Sequence, residues 1–318
     1  MKRILKILLI IVGIILMLII GAVILFSFAS KQPVVKEDYF ETVTTNMPLE
    51  QNYTVMGQYE VSAVIFESNS KKIGQFKVWY PTEMERTSNT YPLVVMANGT
   101  GVKASKYEAI FMHLASWGFI VIGNEDENSW DGVSSSESLN LMLDLNQKST
   151  SPFYGKVDIE NIGIAGHSQG GVGAINAVTS QDNGGYYKTI YTASTTHLAL
   201  AQALQWPYDV SKISIPYFMV AGTRKLDAGD GIEGSSNVGI APLFSLQENY
   251  AAIPNHVEKV MARRVDTEHG EMLYQADGYM TGWLMYQLQG DEKAAAIFVG
   301  QNAEILSNEN WQDIEKNN

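Results

Sequence analysis

Gly166-His167-Ser168-Gln169-Gly170-Gly171 sets a serine between glycines two positions to either side. A serine hydroxyl attacks a carbonyl only when it is held exposed and a base takes its proton. A sharp strand-to-helix turn meets the first need. Positions two before and two after the serine close on each other there, so side chains would clash, and a strained backbone lifts the hydroxyl above a sheet. Ile162 to Ala165 reads as the strand before the turn, and Gln169 to about Thr179, rich in small residues, as the helix after it. Ser168 is the candidate nucleophile, and the chemistry is acyl transfer.

The base must be one of five histidines. His167 adjoins the serine and reads as packing. His113 lies in a predicted helix before the nucleophile, where a core or surface role fits, and His197 and His256 read as surface or substrate-wall residues. His269, in Val265-Asp266-Thr267-Glu268-His269-Gly270, follows the last predicted strand and completes the chain order Ser, acid, His. The acid that orients it should follow the strand Tyr217 to Ala221, where Asp227 and Asp230 both qualify. Asp227 is nearer the strand end and is preferred. Asp266 and Glu268 are too close in sequence to reach the far ring nitrogen, and they read as a solvated loop. Two backbone N–H groups should hold the oxyanion, those of Gln169 and of Thr100 in the turn Asn98-Gly99-Thr100-Gly101.

These residues need a sheet to present them. Val61 to Phe66 and Phe76 to Tyr80 read as an opening antiparallel pair. Leu93–Ala97, Phe119–Gly123, Ile162–Ala165, Thr189–Ala193, Tyr217–Ala221 and Val257–Val265 read as further strands, several of them continuously apolar, as strands buried on both faces are. Ser105 and Glu108 have capping-box spacing ahead of a helix that Gly118 stops. Tyr279 to Leu288 and Glu292 to Phe298 read as the closing helices. The expected class is α/β, a mostly parallel central sheet with helices on both faces.

Ile7 to Phe28 carries no charged side chain and is preceded by Lys2, Arg3 and Lys6. A run of that length spans a bilayer, and the basic flank leaves the N-terminus cytoplasmic and the rest outside. Ser27-Phe28-Ala29 offers the alternative of a cleaved signal peptide and a secreted product. The expected organisation is an anchor over 1–30, a juxtamembrane spacer over 31–52 and one catalytic domain over 53–318. The chain has no Cys, which excludes a thiol nucleophile, a lipid-modified cysteine and disulfides. Its formal charge of −12 excludes nucleic acid as a natural partner. Oligomeric state is not encoded in any motif.

Taken together these segments resemble the α/β-hydrolase superfamily, in the group of dienelactone-hydrolase-like, chlorophyllase-like and bacterial cutinase-like polyester hydrolases. Tyr91 to Gly101 is similar to that group's strand and oxyanion loop, His113 to Ile122 to its next helix and strand, Gly166 to Gly171 to its nucleophile turn. Tyr279 to Glu292 is similar to its closing helix. Three departures stand out: Thr100 where an aromatic often follows the glycine, Gln169 where cutinases often carry Met, and a long loop from Ala228 to Pro254. The resemblance implies hydrolysis of a small-molecule or lipid-like carboxylic ester through Ser168, His269 and Asp227, with no metal or organic cofactor. Lipase, thioesterase and peptidase activities would use the same residues, with Trp206-Pro207-Tyr208 as an acyl wall or as core. A membrane-tethered module that kept the fold without the chemistry is the alternative of another class.

Overall fold

A computed structural model describes residues 32–318. The predicted span Ile7 to Phe28 lies outside the described residues, and among those no helix is long and apolar enough to cross a membrane. The strands are β1 (Val61–Glu67), β2 (Gln75–Pro81), β3 (Tyr91–Ala97), β4 (Ile120–Asn124), β5 (Val157–His167), β6 (Tyr187–Ala193), β7 (Tyr217–Gly222), β8 (Lys259–Arg264) and β9 (Trp311–Lys316). They form one sheet in the order β1-β2-β4-β3-β5-β6-β7-β8-β9. β3 to β8 pair in parallel, as the apolar runs predict, while β1, β2 and β9 pair antiparallel at the two edges.

Among the described residues the α-helices around the sheet are α1 (Pro48–Thr54), α2 (Glu108–Ser116), α3 (Val133–Gln147), α4 (Gln169–Ser180), α5 (Leu198–Ala203), α6 (Lys225–Ala228), α7 (Leu243–Ala252), α8 (Met272–Gln275), α9 (Asp277–Gln289) and α10 (Glu292–Phe298). Side chains alternate along each strand and feed two cores. Val94, Met96 and Ala165 join Phe111, Trp283 and Phe298 from α2, α9 and α10. Leu93, Val95 and Ile164 join Leu139, Val172 and Leu246 from α3, α4 and α7. Gly163 lets α9 press close, since a Cβ there would sit 2.9 Å from Leu288 Cδ1. Tyr208 belongs to the second core and Trp206 packs half-buried against it, so this segment is packing.

Two expectations change, and the alternatives left open for His113 resolve to core. The stretch read as a spacer is folded onto the domain from Val35: Val35, Tyr39 and Tyr53 are buried, and Tyr39 Oη donates to Asp277 on α9. Glu50 of α1 is buried against Arg264 of β8 at 2.9 Å, with Trp311 Nε1 and Asn308 Nδ2 donating to the same carboxylate. The predicted capping box does not form. Ser105 lies in a short turn and gives its N–H and hydroxyl to Glu125, while Glu108 pairs with Lys77 at 2.6 Å. His113 is core: fully buried, it pairs through Nδ1 with Asp277 at 2.8 Å and donates Nε2–H to Val55 O at 2.8 Å.

The strand order reverses beside β3, with β4 on one side and β5 on the other. Open sheets of this type hold ligands outside the carboxyl ends of strands at such a switch. Asn98-Gly99-Thr100 leaves the carboxyl end of β3, and Ser168 leaves that of β5.

Candidate active site

Ser168 sits between β5 and α4 at φ 58°, ψ −123°, a conformation L residues rarely adopt. The glycines explain how the turn closes. A Cβ on Gly166 would lie 2.1 Å from Gly170 O, one on Gly170 2.1 Å from Ala97 O, and one on Gly171 2.3 Å from Thr195 Oγ1. Any larger residue would push the turn apart. Ser168 N–H donates to Ala193 O at 2.9 Å, fixing the turn to the end of β6.

Gln169 opens α4, so its N–H has no intrahelical partner. Neither its N–H nor that of Thr100 meets an acceptor among the described residues. The loop carrying Thr100 lies against the serine, because a Cβ on Gly99 would be 3.8 Å from Ser168 Cβ. Buried side chains hold both donors still. Asn98 Nδ2 donates to Asn124 O at 2.7 Å and Asp126 O at 2.8 Å, and its Oδ1 accepts from Tyr107 Oη. Gln169 Oε1 accepts from Ser129 N at 2.9 Å and its Nε2 donates to Asn128 Oδ1 at 3.0 Å. Gln169 thus clamps loop 126–129, which also meets Asn98 O through Ser129 Oγ at 2.6 Å.

His269 Nδ1 and Asp227 Oδ1 are 2.6 Å apart. Asp227 is fully buried, and its Oδ2 accepts from Ser194 Oγ at 2.5 Å and Gly222 N–H at 2.7 Å. A buried carboxylate needs such donors in place of its lost hydration. Asp230 is apart from this group: it is exposed and bonds only Ser235 and Ile232 N in its own loop. Asp266 pairs with Arg224 at 2.8 Å, and Glu268 accepts from Leu226 N at 3.2 Å.

His167 does more than pack. Its ring lies 4.6 Å from that of His269, centroid to centroid, and its Nε2 is 2.7 Å from His269 O. A carbonyl only accepts, so that nitrogen carries the hydrogen. Burial, then the neighbouring His269 imidazole, push His167 down to about 4, so it is neutral near pH 7. Through its chain neighbour His167, Ser168 is therefore brought to the rim that carries His269. The Ser168 hydroxyl makes no hydrogen bond among the described residues, and such bonds commonly tighten only with substrate in place. Of the remaining histidines, His197 caps α5, its Nδ1 accepting from Leu200 N at 3.4 Å, and His256 is exposed. Sequence reasoning missed Ser194, Gly222 N–H and the His167 contact. Each acts across the fold, with no local pattern to reveal it.

A strained serine turn at a sheet's switch point, two unpaired N–H groups beside it and a His–Asp pair on the same rim fit a hydrolase of the α/β class. Residues 48–203 match the family model described as PET hydrolase-like, which supports the resemblance to the cutinase-like group of the α/β-hydrolase superfamily. The matched span includes Thr100, Ser168 and Gln169 and ends before Asp227 and His269. No curated protein matches the chain.

Proposed function

We propose that the protein is a serine esterase. Ser168 Oγ attacks the ester carbonyl carbon as His269 Nε2 takes its proton, and the N–H groups of Thr100 and Gln169 receive the oxyanion. Asp227 orients the imidazole and stabilises its charged form. The tetrahedral intermediate collapses, the alcohol leaves with the proton from His269, and water activated by the same imidazole releases the acid. The observation that carries this reading is the 2.6 Å contact between His269 Nδ1 and Asp227, which leaves Nε2 as the nitrogen for the serine.

A groove of about 350 Å³ is lined by the apolar side chains of Leu200, Leu226, Val238 and Ile240 together with Lys225 and Glu268. Leu226 and Glu268 are the chain neighbours of the acid and the histidine, and the long loop after Ala228 supplies Val238 and Ile240. Such a groove favours an ester with an apolar acyl or alcohol group, which includes small and lipid-like esters and the units of a polyester. The apolar run Ile7 to Phe28 completes the proposal by tethering the domain to the outer face of a membrane.

A fluorophosphonate probe tests the assignment. The full chain should be labelled and Ser168→Ala should not. Equal labelling of both chains would remove Ser168 from the mechanism.

A further inference from the structure

Ser194 lies outside the nucleophile turn and outside the loops of the acid and the histidine, yet it touches the acid and adjoins the turn. Its neighbour Ala193 accepts the N–H of Ser168 at 2.9 Å, its own N–H donates to Val220 O at 2.7 Å, and its hydroxyl donates to Asp227 Oδ2 at 2.5 Å. The residue is fully buried at φ 53°, in the left-handed region that glycine enters at no steric cost and serine does not. A strained serine stands where glycine would be relaxed, and the strain aims one hydroxyl at one carboxylate.

We propose that Ser194 is a positioning residue for the reaction, acting through Asp227; this rests on the serine-esterase reading above. With Ser194 and Gly222 N–H both on Oδ2, the carboxylate cannot turn about its terminal bond, and Oδ1 stays on His269 Nδ1. The same two donors satisfy the buried carboxylate's second oxygen. Loss of the hydroxyl leaves one donor on Oδ2, so the carboxylate swings more widely and Oδ1 is held less firmly on His269 Nδ1. It also returns charge density to the oxygen facing the imidazole, so the acid limb of the rate profile, which the pair sets as a unit, moves toward higher pH. The other groups facing the pair do not oppose this: His167 is neutral, the Glu268 carboxylate sits on Leu226 N–H, and Arg224 is held by Asp266.

The test uses the full chain and two variants, Ser194→Gly and Ser194→Ala, with Ser168→Ala beside them. Glycine suits the backbone angle, so Ser194→Gly removes the hydroxyl and relieves the strain, whereas Ser194→Ala removes the hydroxyl and keeps the strain. With p-nitrophenyl butyrate, both Ser194 variants should lose about 10–100-fold in kcat with KM unchanged. The acid limb of kcat/KM should move up by about half a pH unit. Parental kcat and an unmoved limb in both variants, with Ser168→Ala inactive, overturn the proposal and leave the esterase reading standing. A uniform fall in rate with an unmoved limb overturns it too, because that is a purely structural effect. Parental turnover in Ser168→Ala sinks the esterase reading itself, and Ser194's role with it.

Discussion

Asp227 and Asp230 stand three residues apart in one loop, and replacing each by asparagine separates them. Asp227 accepts three hydrogen bonds, from His269 Nδ1 at 2.6 Å, Ser194 Oγ at 2.5 Å and Gly222 N–H at 2.7 Å, and is wholly buried. In Asp227→Asn the negative charge is lost and one oxygen becomes NH₂. If that NH₂ faces His269, two donors oppose each other and the imidazole shifts its hydrogen to Nε2, which then cannot take the serine proton. If it faces the other way it opposes Gly222 N–H, which cannot rotate. The first arrangement dominates, because a backbone N–H is the more rigid partner. The lost charge-assisted bond is worth about 1.5–3 kcal/mol. Together with the wrong tautomer, the replacement should lower kcat by about 10⁴-fold, or about 5.5 kcal/mol in the barrier, as the same change does in other Ser-His-Asp triads. Asp230→Asn, exposed and bonded only within its own loop, should stay within about threefold of the parent. Steady-state hydrolysis of p-nitrophenyl butyrate reads both. An Asp227→Asn enzyme within about tenfold of the parent, or a larger loss in Asp230→Asn, would refute the reasoning.

Three further outcomes follow from the same geometry. Gly166→Ala puts a Cβ 2.1 Å from Gly170 O, a backbone atom that cannot give way, and should lower stability by about 3–4 kcal/mol, read as a fall of roughly 10 °C in melting temperature; an unchanged melt contradicts the tight turn. Burial opposes charge on His113, but the Asp277 carboxylate at 2.8 Å and backbone carbonyls outweigh it and hold its pKa above the ordinary value. Stability from the pair is therefore fully present below about pH 6.5 and is lost as pH rises through the folded value, so the melting gap between parent and His113→Gln/Asp277→Asn should shrink with rising pH; a constant or widening gap contradicts this. Leu226→Trp fills the groove beside the acid and should lower kcat/KM for long-chain esters by about tenfold relative to acetate esters, and an unchanged ratio across a panel of acyl lengths removes the groove from substrate choice.

The turn at Ser168 was legible because its tightness demands glycine at fixed offsets, which leaves a local pattern. The parallel strands were legible because burial on both faces writes a continuous apolar run, as in Leu93 to Ala97. Edge and surface elements write less. β9 reads Trp-Gln-Asp-Ile-Glu-Lys, with two apolar residues and no run, so nothing in it announces a strand. α3 opens Val-Ser-Ser-Ser-Glu-Ser, residues that favour turns and caps, and is held by Leu139, Met142 and Leu145 packing on the sheet. The stretch before α1 looked like a spacer because the contact that folds it, Tyr39 to Asp277, crosses 238 positions. Ser105 and Glu108 had the spacing of a cap, but Glu125 from the end of β4 and Lys77 from β2 took both side chains. Ser194 had no signal at all, since its meaning depends on a backbone angle and on a carboxylate 33 positions away. Position along a loop can rank Asp227 above Asp230; only the direction of the side chain separates them.

The account depends on a covalent bond forming at one oxygen. Mixing the full chain with a p-nitrophenyl ester, quenching in acid within the first turnover and mapping peptides by mass spectrometry looks for that bond directly. The acyl mass should sit on the peptide holding Ser168, and should be absent from Ser168→Ala. Rapid release of p-nitrophenol with no acyl group on Ser168, or with the acyl group on another residue, would contradict the account.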